Sequence, residues 1–154
     1  EFYRKCTSCQ LCVAECPNNV LRPSKDFKHF LQPEMGFEHG YCRPECVKCS
    51  QVCPAGAIVP ITKEEKTAYK IGTAEVNLDL CITNTRGKKC GNCARHCPVG
   101  AIMLVKKNPD DNDSVRIPSV REERCIGCGA CEHLCPVRPV SAITVVGVES
   151  HLKN

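Results

Sequence analysis

The residues of this chain that can do chemistry are its sixteen cysteines, and their spacing narrows which chemistry that is. The pattern C-x2-C-x3-C-P occurs four times: Cys9, Cys12, Cys16 with Pro17; Cys46, Cys49, Cys53 with Pro54; Cys90, Cys93, Cys97 with Pro98; and Cys128, Cys131, Cys135 with Pro136. Each copy has one further cysteine upstream, namely Cys6, Cys42, Cys81 and Cys125, so every cysteine belongs to a motif. Runs of this form hold cubane [4Fe–4S] clusters: three thiolates bind one cube and the fourth, before the proline, binds its neighbour. Sixteen thiolates suffice for four clusters. The gaps between the first three cysteines favour small residues, because backbone N–H groups must approach the sulfides. Thr7 and Ser8 meet that demand in motif one, and Gly127, Gly129 and Ala130 in motif four.

Other uses of cysteine fit less well. A disulfide scaffold also has an even count, but repeated short gaps place neighbouring thiols badly for mutual bridging. Zinc ribbons use C-x2-C pairs without needing a third and fourth cysteine and a proline at fixed offsets. Cys42, Cys46 and Cys49 spell C-x3-C-x2-C, the triad of radical S-adenosylmethionine enzymes, whose cube keeps one iron open for substrate. Here Cys53-Pro54 follows at the offset of a fully ligated cluster, and the chain is too short for the barrel those enzymes use.

Composition agrees with a metal-filled interior. Apolar residues make up 42% of 154, a figure that includes the cysteines, and there is no Trp, so a protein-only core would be thin. Domains in that position rely on metal to fold. The formal charge of +4 would fall to about −4 with four oxidised cubanes at about −2 each. The sequence pI of 8.3 therefore does not argue for nucleic acid, and no basic run interleaved with aromatics does so either. No stretch of 18 apolar residues is present, so no membrane span is expected. The chain opens on Glu1, the expectation for a trimmed or mature fragment whose export signal is out of view. His29, His39, His96, His133 and His151 are scattered and stand beside no nucleophile. His96 and His133 precede ligand cysteines and could tune a cluster, although solvated surface residues are the simpler reading. Arg86, Lys88 and Lys89 in the Cys81–Cys90 loop read as a solvated loop, with steering of an acidic partner as the sharper alternative. No catalytic constellation competes, so the expectation is an electron carrier and not an enzyme.

The elements that position these motifs recur. Their final cysteines lie 37, 44 and 38 residues apart, an internal repeat. Short apolar runs after each Cys-Pro, at Val20-Leu21, 57–59, 101–105 and 142–146, predict strands, as do 74–78 and 115–120 ahead of motifs three and four. Thr62 and Glu65 form a capping-box signature and Gly72 a C-cap, predicting a helix of about two turns. The segment between motifs one and two carries Phe27, Phe30, Leu31, Met35 and Phe37; it reads as a packing loop over a cluster, with a partner-docking surface as the alternative. Residues 107–113 read as a polar turn. The predicted fold class is α+β, with two bacterial-ferredoxin-like units of two clusters each, related by pseudo-twofold symmetry. Pairing of the motifs can be sequential, one with two and three with four, or nested. Nested pairing joins the regular motifs one and four, and joins motifs two and three, whose first gaps are x3 and x8.

The four-motif order, the long first gap of motif three with Gly87 inside it, and the capped helix leading into KIGTAEVNLDLC resemble the MauM/NapG family of polyferredoxins. So does motif four, CIGCGACEHLCP followed by VSAITVV. Motif two departs from the family's C-x2-C-x4-C-x3-C-P. The resemblance implies a periplasmic carrier of four [4Fe–4S] clusters, passing single electrons from a membrane quinol-oxidising donor to a terminal oxidoreductase. The alternative is the ferredoxin-like portion of a larger flavin- or molybdenum-dependent oxidoreductase, and without export the location would be cytoplasmic. Related four-cluster subunits pair their motifs in nested fashion. On that pattern Cys6, Cys9 and Cys12 share a cluster with Cys135; Cys125, Cys128 and Cys131 with Cys16; Cys42, Cys46 and Cys49 with Cys97; and Cys81, Cys90 and Cys93 with Cys53. The outer unit would be residues 1–26 plus 112–154 and the inner unit 27–111.

Overall fold

The computed structural model describes residues 1–153, with side chains as far as residue 148. Its backbone forms two compact units, Glu1–Thr67 and Ala68–Asn154. The nested division, 1–26 plus 112–154 and 27–111, groups the motifs differently. Residues 1–26 share a unit with motif two, and residues 112–153 share one with motif three, so each unit is a continuous length of chain. The physical reason is local. In unit one the helix of motif one packs on the helix of motif two, and in unit two the helices of motifs three and four do the same.

Unit one runs α1 (Phe2–Lys5), α2 (Leu11–Ala14), β1 (Leu21–Pro23), β2 (Pro33–Met35), α3 (Lys48–Val52) and α4 (Lys63–Lys66). β1 and β2 pair antiparallel, Leu21 opposite Met35. A 3₁₀ turn at Phe27–His29, capped by the Asp26 side chain, bridges them. The predicted capping box is present, with Thr62 Oγ1 accepting from the Glu65 N–H at 3.2 Å and Glu65 Oε2 accepting from the Thr62 N–H at 3.0 Å. The helix it starts is one turn and not two, and Ala57-Ile58-Val59 is bend and loop instead of strand.

Unit two runs β3 (Tyr69–Val76), α5 (Ile82–Arg86), α6 (Asn92–Arg95), β4 (Ile102–Lys106), β5 (Arg116–Val120), α7 (Ala130–His133) and β6 (Ile143–Lys153). β3 pairs antiparallel with β6, Val76 opposite Ile143, and β4 with β5, Ile102 opposite Val120. The polar turn at 107–113 closes the β4–β5 hairpin as expected. Gly72 is a strand residue and not a helix C-cap. The chain turns to β structure at Tyr69 because a longer partner, β6, is there to pair with it. The register shifts between Lys70 and Gly72, and the Ile71 N–H donates instead to the Ile126 carbonyl at 3.0 Å. A strand irregularity of this kind re-aims a backbone group toward a neighbouring loop.

Three of the ligand-bearing helices start and stop for covalent reasons. α2, α6 and α7 each follow a residue with positive φ lying between the second and third cysteines: Gln10 (62°), Gly91 (134°) and Gly129 (81°). Each gives way soon afterwards to a Cys-Pro pair, where proline supplies no N–H and the residue before it disfavours helix. The core of unit two is Ala74, Ala101, Ile102, Cys125, Cys131, Cys135, Ala142 and Ile143, and Val20 in unit one is the largest fully buried side chain among the described residues. Small residues and thiols fill the places where Leu and Phe would normally pack.

Candidate metal centres

Unit two holds two pockets. One is lined by Cys97, Cys125, Cys128 and Cys131 together with Ala74, Val99, Ile102 and Val145. The other is lined by Cys81, Cys90, Cys93 and Cys135 together with Val76, Pro118, Val137 and Ile143. Each therefore presents three cysteines of one motif and the fourth of the adjacent motif, inside an apolar wall. The nested sets placed Cys135 with motif one and Cys97 with motif two. The structure puts them instead among the thiols of motifs three and four, because α6 lies against α7 and each helix ends by delivering its last cysteine to the other's pocket. An Asn92 Nδ2–H to Leu134 carbonyl bond of 3.3 Å ties the two helices.

Unit one repeats the arrangement electrostatically. Burial raises the Cys12 thiol, and Cys6 and Cys53 are near enough to add to that rise. Burial likewise raises Cys42 and Cys49, with smaller contributions from Cys46 and Cys16. Cys53 thus lies near Cys12, and Cys16 near Cys42 and Cys49. In unit two burial pushes Cys93 up to about 11, with Cys90, Cys81 and Cys135 contributing. Burial also raises Cys131 strongly, followed by Cys128 and Cys125. Four thiols crowded into a dry site oppose ionisation by desolvation and mutual repulsion. A bound cation core reverses that preference and makes the thiolate the stable form.

The donor set fits cubanes. Among the described residues no three Cys, His, Asp or Glu side chains gather at single-ion spacing. Four thiols at each pocket, three from one motif and one from its neighbour, are the donor set of a cubane. The backbone is shaped to the same end. Ser8 (φ 54°) and Gln10 (62°) in motif one, and Gly127 (75°) and Gly129 (81°) in motif four, alternate left-handed with the cysteines and curl the loop. A Cβ on Gly127 would stand 2.3 Å from the Gly72 nitrogen, so that loop lies on β3 with no room for a side chain. N–H groups point at ligand sulfur: Ala101 to Cys97 Sγ at 3.2 Å, Val20 to Cys16 Sγ at 3.5 Å, and Ala74 to Cys125 Sγ at 3.4 Å. Such bonds withdraw charge from sulfur and raise a cluster's potential.

Two features escaped sequence reasoning. The N–H to sulfur bonds at Val20 and Ala101 come from the fourth residue after the motif's last cysteine, so the signal is Cys-Pro-x-x-apolar. Lys66, at the end of α4, lies near Cys42 and Cys49 and lowers the pKa of both against their burial. The capped helix marked its place but not its role. Among the described residues no histidine lines either pocket: His96 and His39 are exposed, His29 stacks on Tyr3 at 3.7 Å, and the side chain of His151 lies outside the described residues. Arg86, Lys88 and Lys89 are exposed, as a solvated loop should be.

Comparison with known proteins gives the same division. The family described as "4Fe-4S dicluster domain" matches twice, over residues 5–57 and 86–138, one match to each pair of adjacent motifs. The "Methylamine utilization ferredoxin-type protein MauM" of Methylophilus methylotrophus is 31% identical over 140 residues, covering 88% of this chain and 61% of that protein. The "Ferredoxin-type protein NapF" of Escherichia coli (strain K12) is 28% identical over 151 residues, covering 97% and 80%. The "Ferredoxin-type protein NapG" of the same strain is 31% identical over 145 residues, covering 87% and 61%. The chain spans about three fifths of the length of the MauM relatives it matches.

Proposed function

We propose, for a chain that belongs to the 4Fe–4S dicluster polyferredoxins, that its four [4Fe–4S] clusters are assembled in two sequential pairs and relay single electrons between redox proteins. When bound, the clusters supply one-electron chemistry; the protein holds them, shields them and sets their potentials. The observation that carries this reading is the pair of four-cysteine pockets in unit two. The proposed ligand sets are Cys6, Cys9, Cys12 and Cys53; Cys42, Cys46, Cys49 and Cys16; Cys81, Cys90, Cys93 and Cys135; and Cys125, Cys128, Cys131 and Cys97. Four thiolates at every cluster leave no iron open to a substrate, which favours a carrier over an enzyme. The family resemblance supports a periplasmic setting, with a membrane quinol-oxidising donor and a terminal redox enzyme as acceptor. Among the described residues no helix is long and apolar enough to cross a membrane.

Iron counting tests the pairing. Cys97→Ala and Cys125→Ala should each remove one cluster and lower the content from about sixteen irons to about twelve. The double variant should also keep about twelve, because both residues serve one cluster. A double variant holding only about eight irons would place Cys97 and Cys125 on different clusters and refute the sequential sets.

A further inference from the structure

The segment between β1 and β2 does not bury its aromatic residues. Phe27 is 99% exposed, Phe30 62% and Leu31 44%; Tyr3, at 53%, stacks on His29, and Leu11, at 43%, follows Gln10 in the chain. Only Phe37, at 6%, behaves as the packing residue the sequence suggested. Large apolar side chains clustered in water mark a binding surface when they are held in place.

These are held. The Ser24 N–H donates to the Gln32 carbonyl at 2.8 Å, the Leu31 N–H to Ser24 at 3.0 Å and the Gln32 N–H to His29 at 2.9 Å. His29 stacks on Tyr3, and Gln32 Nε2–H donates to the Tyr3 carbonyl at 2.9 Å. Leu31 sits at φ 61°, a conformation disfavoured for its side chain, and its carbonyl accepts from Gln10 Nε2–H. Gln10 belongs to the ligand loop of motif one, next to Cys9. Cys9 is the one exposed cysteine of the sixteen. The apolar face is therefore stapled to the loop whose thiol comes nearest to solvent. Electron transfer between proteins falls off steeply with distance, so such a place suits the meeting of two redox centres.

The rim carries a sign. Arg4, Lys25 and Lys28 are exposed and hold no ion pair among the described residues, while Lys5 is paired with Glu1 at 2.7 Å. Asp26 turns its carboxylate to the Lys28 N–H as a cap. Aromatic residues at the centre with charge around them is the anatomy of a transient interface. Free cations at the rim select an acidic partner and speed its approach.

We infer that Tyr3, Leu11, Phe27, Phe30 and Leu31 form the docking face for an acidic redox protein, with electrons crossing at the motif-one loop. This rests on the relay reading above and adds to it the port and the partner's chemistry. The test uses cluster-loaded full chain, with flavodoxin as an acidic redox probe and mitochondrial cytochrome c as a basic one. Binding is read by surface plasmon resonance at low and high salt, and electron transfer by stopped-flow oxidation of the reduced protein. The expected result is salt-sensitive binding of flavodoxin and weak binding of cytochrome c. Flavodoxin binding should weaken by roughly ten-fold or more in the F27S/F30S and K25E/K28E variants. Iron content and the rate of oxidation by an uncharged quinone should not change. Wild-type levels of flavodoxin binding in both variants, or no flavodoxin binding by the wild type, would overturn the inference. So would a wild-type dimer that either variant converts to monomer, since the face would then meet a second copy. Reduced protein that the quinone cannot oxidise would sink the relay reading itself, independently of the docking face.

Discussion

Gly127→Ala is the sharpest test of how the motif-four loop is seated. Gly127 has φ +75°, and a Cβ there would stand 2.3 Å from the nitrogen, 2.5 Å from the Cα and 2.6 Å from the oxygen of Gly72. All three atoms are backbone, so no side chain can swing aside. Restoring van der Waals contact means opening the loop from β3 by about 1 Å, and overpacking of that kind costs about 1–3 kcal/mol. The left-handed conformation adds about 1–2 kcal/mol for a residue with a Cβ. Gly87 makes a matched control in the same unit: its φ is +61° and a Cβ would meet only Val115 Cγ1 at 3.9 Å, so Gly87→Ala carries the conformational cost alone. The expected gap between the variants is about 2 kcal/mol, or roughly 10 °C in Tm for a unit of this size. Opening the loop also stretches the Ile71 N–H to Ile126 bond of 3.0 Å and the Ala74 N–H to Cys125 Sγ bond of 3.4 Å. Gly127→Ala should therefore lose cluster absorbance first, at the Cys125 end. Anaerobic melts of the loaded protein at one heating rate, followed by cluster absorbance and far-UV dichroism, measure the gap. Equal shifts for the two variants would refute the close seating of this loop on β3.

Lys66→Met should lower the potential of one cluster, because the ammonium favours charge on Cys42 and Cys49. The shift should be about 40 mV, from roughly 1 kcal/mol of lost charge–charge attraction, and Lys66→Arg should retain most of it. A redox titration followed by electron paramagnetic resonance that shows no shift, or equal shifts in all clusters, would count against the assignment. Iron chelation under reducing conditions should collapse the far-UV dichroism and expose the chain to protease, since cysteines and alanines make up most of the core of unit two; a cooperatively melting apo-protein would contradict this. Reduced protein should leave S-adenosylmethionine intact, because Cys16, near Cys42 and Cys49, is the fourth thiolate proposed for their cluster. Cleavage abolished by Cys42→Ala would convert motif two from a relay into an active site.

The ligands and most strands were legible because their signals are local. Cysteine spacing is covalent arithmetic, and β4, β5 and the turn between them follow from alternation and a polar run within twenty residues. What failed depended on distant partners. Gly72 looked like a helix cap because Thr62 and Glu65 do start a helix; its place in β3 is set by β6, some seventy residues away. Ala57-Ile58-Val59 has the composition of a strand, but among the described residues no strand pairs with it. The left-handed Ser8 and Gln10 are hidden because neither is the glycine that usually marks that conformation. Phe27 and Phe30 read as packing residues because hydrophobicity alone does not say whether anything covers them.

The pairing of motifs could not be read from the cysteines, since either order satisfies sixteen thiols, yet the structure supplies a physical preference. Each ligand helix, four or five residues long, is too short to stand alone and needs a partner helix at its side. α2 finds α3, and α6 finds α7, each within about forty residues of chain. Nested pairing would make motif one wait for motif four, closing a loop of more than a hundred residues before its first cluster was complete. Loop-closure cost grows only slowly with length, so equilibrium alone is a weak discriminator. Assembly order is a stronger one. A chain whose contacts are local completes its sites sooner, and a thiol left without its cluster is a desolvated group that resists ionisation, as the raised pKa of Cys93 illustrates. Sequential pairing lets unit one gather all eight of its thiols before unit two exists, so fewer half-ligated sites are exposed during loading. Slowed loading should then follow any change that separates α6 from α7. Asn92→Ala, which removes their 3.3 Å tie, should delay cluster incorporation into motifs three and four while leaving motifs one and two at the wild-type rate. Equal delay in all four would show that the units load as one.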